Sequence, residues 1–399
     1  MLQTTAELDV AAVQTALRDE GLDGWLLYDF HGSNPIAAEV TGAGQRGHLA
    51  TRRWYYLIPA TGQPRGLVHA IERHVLAHLP GDVAMYAGRE QLESGVRELV
   101  RGVSRVAMEY SPDGAIPYVG RVDAGTIEHL RALGLEISSS GDLVQRFAAV
   151  WDSAAVDTHM QASERLYRVK DRAFAAIRER LAANTPTSEF DIQQLMVGWF
   201  RDEGLVSDSP PIVAAAGNAG NPHYMPTLSE HRPIRPGEMV LLDLWGKLDR
   251  PGAVFADITW VGYTGARPPA RFSTVFDAVA AARDAAVALV LRAVAAGQTL
   301  QGWQVDRAAS TVLRSAGFGA HILHRTGHSL GESVHGNGVN MDDYETHDDR
   351  RLLAGTGFTI EPGLYFEDFG VRLEINMLVR DRDAIVTGPI QQEIVALGA

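Results

Sequence analysis

At 399 residues, with 46% hydrophobic and 21% charged residues, the chain has the composition of a folded globular protein and the length for two or three domains. A formal net charge of −13 argues against a nucleic-acid partner and offers nothing to an anionic membrane surface, and the lack of cysteine excludes disulfides and thiolate metal ligands. No apolar run approaches the roughly 18 residues of a membrane span, and the opening stretch lacks the basic and apolar regions of a signal peptide, so the expected location is the cytosol.

Taken in order, Ala11–Gly21 reads as an amphipathic helix stopped by glycine. GWLLYDF (Gly24–Phe30) and RRWYYLIP (Arg52–Pro59) are short runs of aromatic and branched residues bounded by Gly or Pro, as strands are. The stretch HGSNPIAAEVTGAGQRGH between them reads as a glycine-rich loop. GLVHAIE (Gly66–Glu72), DVAMYA and RVAMEYS continue the strand theme, alternating with helical stretches at Glu90–Arg101 and Val122–Leu133. This alternation predicts an α/β domain over residues 1–152. His31, His69, His74 and His78 are scattered through it and form no catalytic pattern.

Residues 153–399 form the second expected domain. Ser153–Ala183 is a long helical pattern, broken by Asn-Thr-Pro-Thr-Ser. Ser188 and Asp191 have capping-box spacing, and Ile192, Leu195, Met196, Trp199 and Phe200 share one face of the next helix. PPIVAAAGNAGNPHY then leads through a loop to His223. A turn at Arg235-Pro236-Gly237 launches MVLLDLWG, and another at Asp249–Gly252 leads to VFADITWVG. Side chains alternate along a strand, so Leu241, Asp243 and Trp245 share one face, as do Phe255, Asp257 and Thr259. Antiparallel pairing would set Asp243 and Asp257 side by side. An acid in an apolar strand is costly to bury unless paired, protonated or metal-bound, and two in neighbouring strands point to function. Ala270–Ala296 and Trp303–Ser315 read as helices; Phe358–Phe366 and Val371–Arg380 read as two strands joined through Glu367–Gly370.

The stretch His321–Asn376 carries the chemistry. It reads HILHRTGHSLGESVHG, then a polar loop, then FTIEPGLYFEDFGVRLEIN. Imidazole and carboxylate together suit a divalent ion such as Zn²⁺, Mn²⁺ or Co²⁺. Asp243, Asp257, His328, Glu361 and Glu374 supply four carboxylates and one histidine, enough for two ions with a water between them, which is equipment for amide hydrolysis. A leaving amine needs a proton, and His223, His324 and His335 are candidates to donate it or to stabilise charge. The glycines of RTGHSLG stand in neither a GxxxxGK[ST] nor a strand-to-helix GxGxxG context, and no flavin or nicotinamide fingerprint is present.

On these residues the chain resembles the pita-bread metallopeptidases, and within them the Xaa-Pro dipeptidases (prolidases) and Xaa-Pro aminopeptidases. The family's ligand order, Asp, Asp, His, Glu, Glu, is matched by Asp243 in LLDLWG, Asp257 in ADIT, His328 in HRTGHSLG, Glu361 in TIEPGLY and Glu374 in VRLEIN. The likeness is strong over residues 155–399. Over residues 1–150 it rests on the order of elements and the RRWYYLIP run. It implies an α/β N-terminal domain of the creatinase/prolidase type followed by an α+β pita-bread catalytic domain. It also implies two divalent metal ions per chain, Mn²⁺ first, with Co²⁺ or Zn²⁺ as alternatives. Asp257 and Glu374 would bridge them, Asp243 would complete one, and His328 and Glu361 the other, with a metal-bridging hydroxide as nucleophile and Glu361 as proton acceptor. His223, His324 and His335 match substrate-facing histidines, Arg372 matches an arginine near the site, and Tyr365 matches a tyrosine of the aminopeptidase pattern. The implied substrate is an Xaa-Pro peptide, in the first place a dipeptide, and the implied assembly a homodimer in which the partner's N-terminal domain shapes the pocket, with the loop His31–Gly44 as the candidate for that role.

The chain also departs from the family. The two aspartates are 14 residues apart, more than is usual, which suggests a longer turn. Trp260 follows ADIT in place of the usual arginine, and Gly336 follows His335 in place of an acid. At the distance from Glu361 where prolidases carry the arginine for the substrate carboxylate stands His347, with Arg350 and Arg351 nearby. Three alternatives stay open: an aminopeptidase for longer peptides, a metal-free creatinase-like C–N hydrolase, and a binding module without activity.

Overall fold

A computed structural model describes residues 8–43 and 50–398, so the end of the expected loop at Gly44 lies outside the described residues. Contacts divide the chain between Ala148 and Ala149 into two units.

In the first unit, helix α1 (Val10–Asp19) starts where Asp9 accepts the Ala12 N–H, and the chain leaves it through Gly21 at φ 65°. Strand β1 (Gly24–Asp29) is buried along its whole length. The stretch that reads as a glycine-rich loop holds a helix, α2 (Pro35–Thr41). Its signal is Asn34-Pro35: the Asn34 side chain accepts the Ala37 N–H, and proline occupies the first turn. Strands β2 (Trp54–Pro59) and β3 (Arg65–His69) follow, and the chain turns into a 3₁₀ segment at Ala70–Val75 where GLVHAIE reads as continuous strand. Then come β4 (Asp82–Tyr86), α3 (Arg89–Leu99), β5 (Arg105–Met108), α4 (Ala124–Ala132), β6 (Glu136–Ser139) and α5 (Gly141–Ala148). The strands form one mixed sheet in the order β4-β3-β2-β1-β5-β6. Fully buried Glu109 ties the loop before α2 to this sheet, accepting from Trp25, Asn34 and Ser140 at 2.7, 2.8 and 3.0 Å.

The second unit opens with the 30-residue helix α6 (Ser153–Ala182) and with α7 (Glu189–Asp202), capped by Ser188 and Asp191 as their spacing indicates. Short β7 (Leu205–Val206) and β8 (Ile212–Ala215) pair with β9 (Met239–Leu248), which pairs with β10 (Ala256–Tyr263) in full antiparallel register. Helix α6 lies on the face of β10 that carries Ile258 and Trp260. Buried His159 of α6 holds the entry to β10, with Nδ1 donating to the Phe255 carbonyl at 2.8 Å and Nε2 accepting the Thr387 hydroxyl at 2.7 Å. Helices α8 (Ala270–Ala295) and α9 (Gly302–Ser315) pack on each other in a second apolar cluster. No helix among the described residues is long and apolar enough to cross a membrane.

After β11 (Ser329–Leu330), the two long strands expected from Phe358 to Arg380 are each broken in two. They form β12 (Gly357–Ile360), β13 (Gly363–Tyr365), β14 (Gly370–Arg372) and β15 (Ile375–Val379). β12 pairs with β15 and β13 with β14, and the breaks fall at Glu361-Pro362 and Leu373-Glu374. Pro362 has no N–H to give a ladder. At the opposite break the Glu374 N–H leaves the pair and donates to the Thr259 carbonyl of β10 at 3.1 Å. The far edge of β10 is covered in the same way along its length. The Asn376 side chain accepts the Asp257 N–H, the Gln391 side chain bonds both backbone groups of Val261, and β17 (Val395–Ala396) runs parallel to its end. An edge that would otherwise stay unpaired is closed, and Glu374 is delivered to the strand that carries Asp257. β16 (Ala384–Val386) completes the β11-β12-β15-β16 sheet.

Candidate metal centre

The register of β9 and β10 pairs Asp243 with Thr259 and Trp245 with Asp257. The two aspartates therefore share a face as diagonal neighbours, one pair out of the side-by-side placement expected from the sequence. Both are buried, at 7% and 5% exposure. His328 comes in from the loop before β11, its N–H held by the Thr359 hydroxyl at 2.9 Å. Gly327 permits this approach, because a Cβ there would sit 2.0 Å from the Thr359 carbonyl oxygen. The Glu361 N–H donates to Thr326 at 2.7 Å, and Thr326 is in turn held by buried Asp306 of α9.

The donors and acceptors do not balance. His328 commits Nδ1–H to the Ser329 carbonyl at 3.1 Å, which leaves Nε2 as a lone pair. That lone pair faces Asp257 Oδ2 and Glu361 Oε1, each at 3.6 Å. Asp257 Oδ1 is buried with no hydrogen-bond partner. One ligand atom each from Asp257, His328 and Glu374 lie within 4.8 Å of one another. A buried group of acceptors with no donor among them is what a cation requires. Burial raises the pKa of Asp243, Asp257 and Glu374, and their acidic neighbours push the same way. Burial pushes Glu361 up too, but His328, His324, Arg372 and Arg325 outweigh it and hold Glu361 below the usual carboxylate range.

Around this group runs a set of fixed polar contacts. The Thr259 hydroxyl donates to Glu374 Oε2 at 2.7 Å and accepts Arg372 Nε at 3.0 Å. Arg372 also donates to Asp243 and to the Tyr365 hydroxyl. The Tyr365 hydroxyl donates to His324 Nε2 at 2.6 Å, while His324 Nδ1–H donates to the Arg325 carbonyl. The His335 ring lies 4.2 Å from that of His328, and its pKa is pushed down to about 4 by burial, with help from His328 and Arg325. It is neutral at pH 7.

Of the residues singled out by sequence, Asp243, Asp257, His328, Glu361, Glu374, His324, His335, Arg372 and Tyr365 thus form one connected group. His223 is exposed on the loop after β8, with no hydrogen bond, ion pair or ring contact to that group. Its neighbour Tyr224 is anchored, donating to buried Glu189 at 2.6 Å. His347 is exposed, stacked on Trp303 and bonded to Asp343, while Arg350 is committed to Asp348 and the Asn337 carbonyl. Trp260, where the family has an arginine, points to α6, with buried Lys170 Nζ 3.7 Å from the ring centre. Asp208, Arg325 and Asp306 were not singled out. Asp306 sits within a helical apolar pattern, and Asp208 is one acid among many in loops. Only Arg325, inside the histidine motif, carried a usable signal.

Sheets that deliver acids from β9, β10 and two strand breaks to one histidine define a pita-bread metallopeptidase. The chain matches the model of metallopeptidase family M24 over residues 159–381, more than half its length, and it belongs to that family. It is 26% identical over 362 residues to a probable dipeptidase PepE of Mycobacterium tuberculosis, covering 89% of this chain and 88% of that one. It is 30% identical over 203 residues to an Xaa-Pro dipeptidase of Lactobacillus helveticus, covering 50% and 49%. Its fold superimposes on the crystal structure of dipeptidase PepE from Mycobacterium ulcerans with a TM-score of 0.74 at 22% identity, over 100% of both chains.

Proposed function

We propose that this metallopeptidase hydrolyses the Xaa-Pro bond of dipeptides with two divalent metal ions per chain, Mn²⁺ first and Co²⁺ or Zn²⁺ as alternatives. The observation that carries the reading is the unbalanced group of buried acceptors: the His328 Nε2 lone pair and the free Asp257 Oδ1 have no donor to meet. Asp243, Asp257, His328, Glu361 and Glu374 are the proposed ligands, with Asp257 and Glu374 shared between the ions. Bound ions would supply Lewis acidity and a hydroxide nucleophile at neutral pH. Glu361 is the proposed proton acceptor. Arg372 and Thr259 hold Asp243 and Glu374 in place, and Tyr365 links Arg372 to His324. His335, neutral, is the proposed hydrogen-bond donor to substrate, and His223, on the exposed loop after β8, is proposed to join it there. Proline gives the scissile amide no N–H and a restricted shape, which a pocket built for its ring selects. In the same reading residues 1–152 are a creatinase/prolidase-like domain and residues 153–399 the catalytic one, in a cytosolic homodimer.

One observation favours a second reading. A dipeptidase needs a cation for the substrate carboxylate, and His347 and Arg350 are engaged elsewhere. An aminopeptidase for longer Xaa-Pro peptides needs no such group. Metal binding tests what both readings share. Calorimetric titration of chelator-stripped protein with Mn²⁺ is expected to give two equivalents, reduced in Asp257→Asn and Glu374→Gln. Fewer than two in the wild type contradicts the dinuclear site.

A further inference from the structure

Asp208 stands on the loop between β7 and β8, exposed to solvent. Its Oδ1 accepts the Trp245 indole N–H at 2.7 Å. Trp245 is the cross-strand partner of Asp257 and shares the β9 face of Asp243. The indole therefore leads from the buried acids outward to this carboxylate. The Asp208 charge is felt both at Asp257 on β10 and at His335 on the loop after β11. The other acids of the site are engaged or enclosed: Asp243 holds Arg372, Glu374 the Thr259 hydroxyl, Glu361 the Thr359 hydroxyl, and Asp257 is buried. Asp208 alone among these is exposed, and its Oδ2 makes no hydrogen bond or ion pair among the described residues.

We propose that Asp208 binds the protonated α-amino group of the substrate's first residue, and so sets cleavage after that residue. The assignment rests on the peptidase reading above. A peptidase that removes one residue meets the same cation on every substrate, the free N-terminus. A carboxylate with one oxygen fixed by an indole donor presents the other in a set direction, which favours a charge-assisted hydrogen bond over a loose ion pair.

The test uses full-length, Mn²⁺-loaded protein and two ligands that are not turned over, alanine and N-acetylalanine, with affinity read by calorimetry. Asp208→Asn keeps an acceptor for Trp245 and removes only the charge. Its alanine affinity is expected to fall roughly ten- to hundredfold, with N-acetylalanine unchanged. Asp208→Glu, which keeps the charge, is expected to retain most of the alanine affinity. Trp245→Phe, which frees the carboxylate, is expected to weaken alanine less than Asp208→Asn does. In steady state the loss in Asp208→Asn appears in KM for Ala-Pro more than in kcat. Equal alanine affinity in wild type and Asp208→Asn, an equal loss for N-acetylalanine, or no alanine binding by the wild type overturns the assignment. Failure of the wild type to cleave Ala-Pro removes the Xaa-Pro reading instead, and the alanine contrast still decides the role of Asp208.

Discussion

The Thr259 hydroxyl donates to Glu374 Oε2 at 2.7 Å, and the Glu374 N–H donates back to the Thr259 carbonyl at 3.1 Å. Two residues 115 positions apart are clamped through side chain and backbone together. The clamp fixes which carboxylate oxygen of Glu374 is free to face Asp257 and His328. Thr259→Val keeps the backbone bond and the volume and removes the hydroxyl. It is expected to lower metal affinity or activity by about 10–100-fold, the usual cost of losing an outer partner of a ligand. Metal titration and kcat/KM check this; a change under twofold would mean that the hydroxyl does not orient Glu374.

A second prediction concerns the chain Arg372–Tyr365–His324. The Tyr365 hydroxyl accepts from Arg372 at 3.2 Å and donates to His324 at 2.6 Å. Tyr365→Phe leaves His324 Nε2 without its donor and frees the ring to turn. The expected loss is about ten- to hundredfold in kcat/KM, the cost of leaving a buried polar group unsatisfied. His324→Ala should add little to it, since the two residues act as a unit. Additive losses in the double variant would separate them.

Much of this was readable from the sequence, for physical reasons. Asp243 and Asp257 stood out because an acid in an apolar strand demands a partner, and alternation alone gives their shared face. Their diagonal offset was hidden, because turn length sets register and alternation alone does not fix how many residues the turn takes up. The breaks at Glu361-Pro362 and Leu373-Glu374 were hidden on one side only. Pro362 announces a missing N–H, whereas the departure of Glu374 toward Thr259 depends on a strand more than a hundred residues away. Helix α2 was masked by the glycines around it, although Asn34-Pro35 carried its start. Asp208 had no signal, since nothing in a loop acid tells that a tryptophan on another strand will hold it.

A third prediction follows from His159. Its pKa is pushed down to about 4 by burial, against 6.5 for a free histidine. Between those values the unfolded chain binds the proton and the folded chain does not. Stability contributed by the neutral ring is therefore full above pH 6.5 and is lost as pH falls toward 4, by about 3 kcal/mol in all. His159→Gln removes this dependence. The difference in unfolding free energy between wild type and variant, measured by urea from pH 4.5 to 7, should shrink as pH falls. A constant difference would mean that the ring takes up its proton in the fold at the same pH as in the unfolded chain.

Metal removal supplies a fourth. Ions that bind only the folded chain stabilise it by mass action, about 2.7 kcal/mol at a hundred times Kd. Chelation is expected to lower the thermal midpoint and Mn²⁺ to restore it, with the shift diminished in Asp257→Asn. The same Mn²⁺ shift in wild type and variant would place the bound metal elsewhere.

The most direct measurement is the hydrolysis of Ala-Pro beside Ala-Pro-Ala by chelator-stripped enzyme, before and after addition of Mn²⁺. The account predicts no cleavage before addition, and afterwards cleavage of Ala-Pro in preference to the tripeptide. Preference for Ala-Pro-Ala would make the enzyme an aminopeptidase with an open leaving-group side. Cleavage of neither peptide with metal present would contradict the Xaa-Pro assignment and leave only the fold and the family.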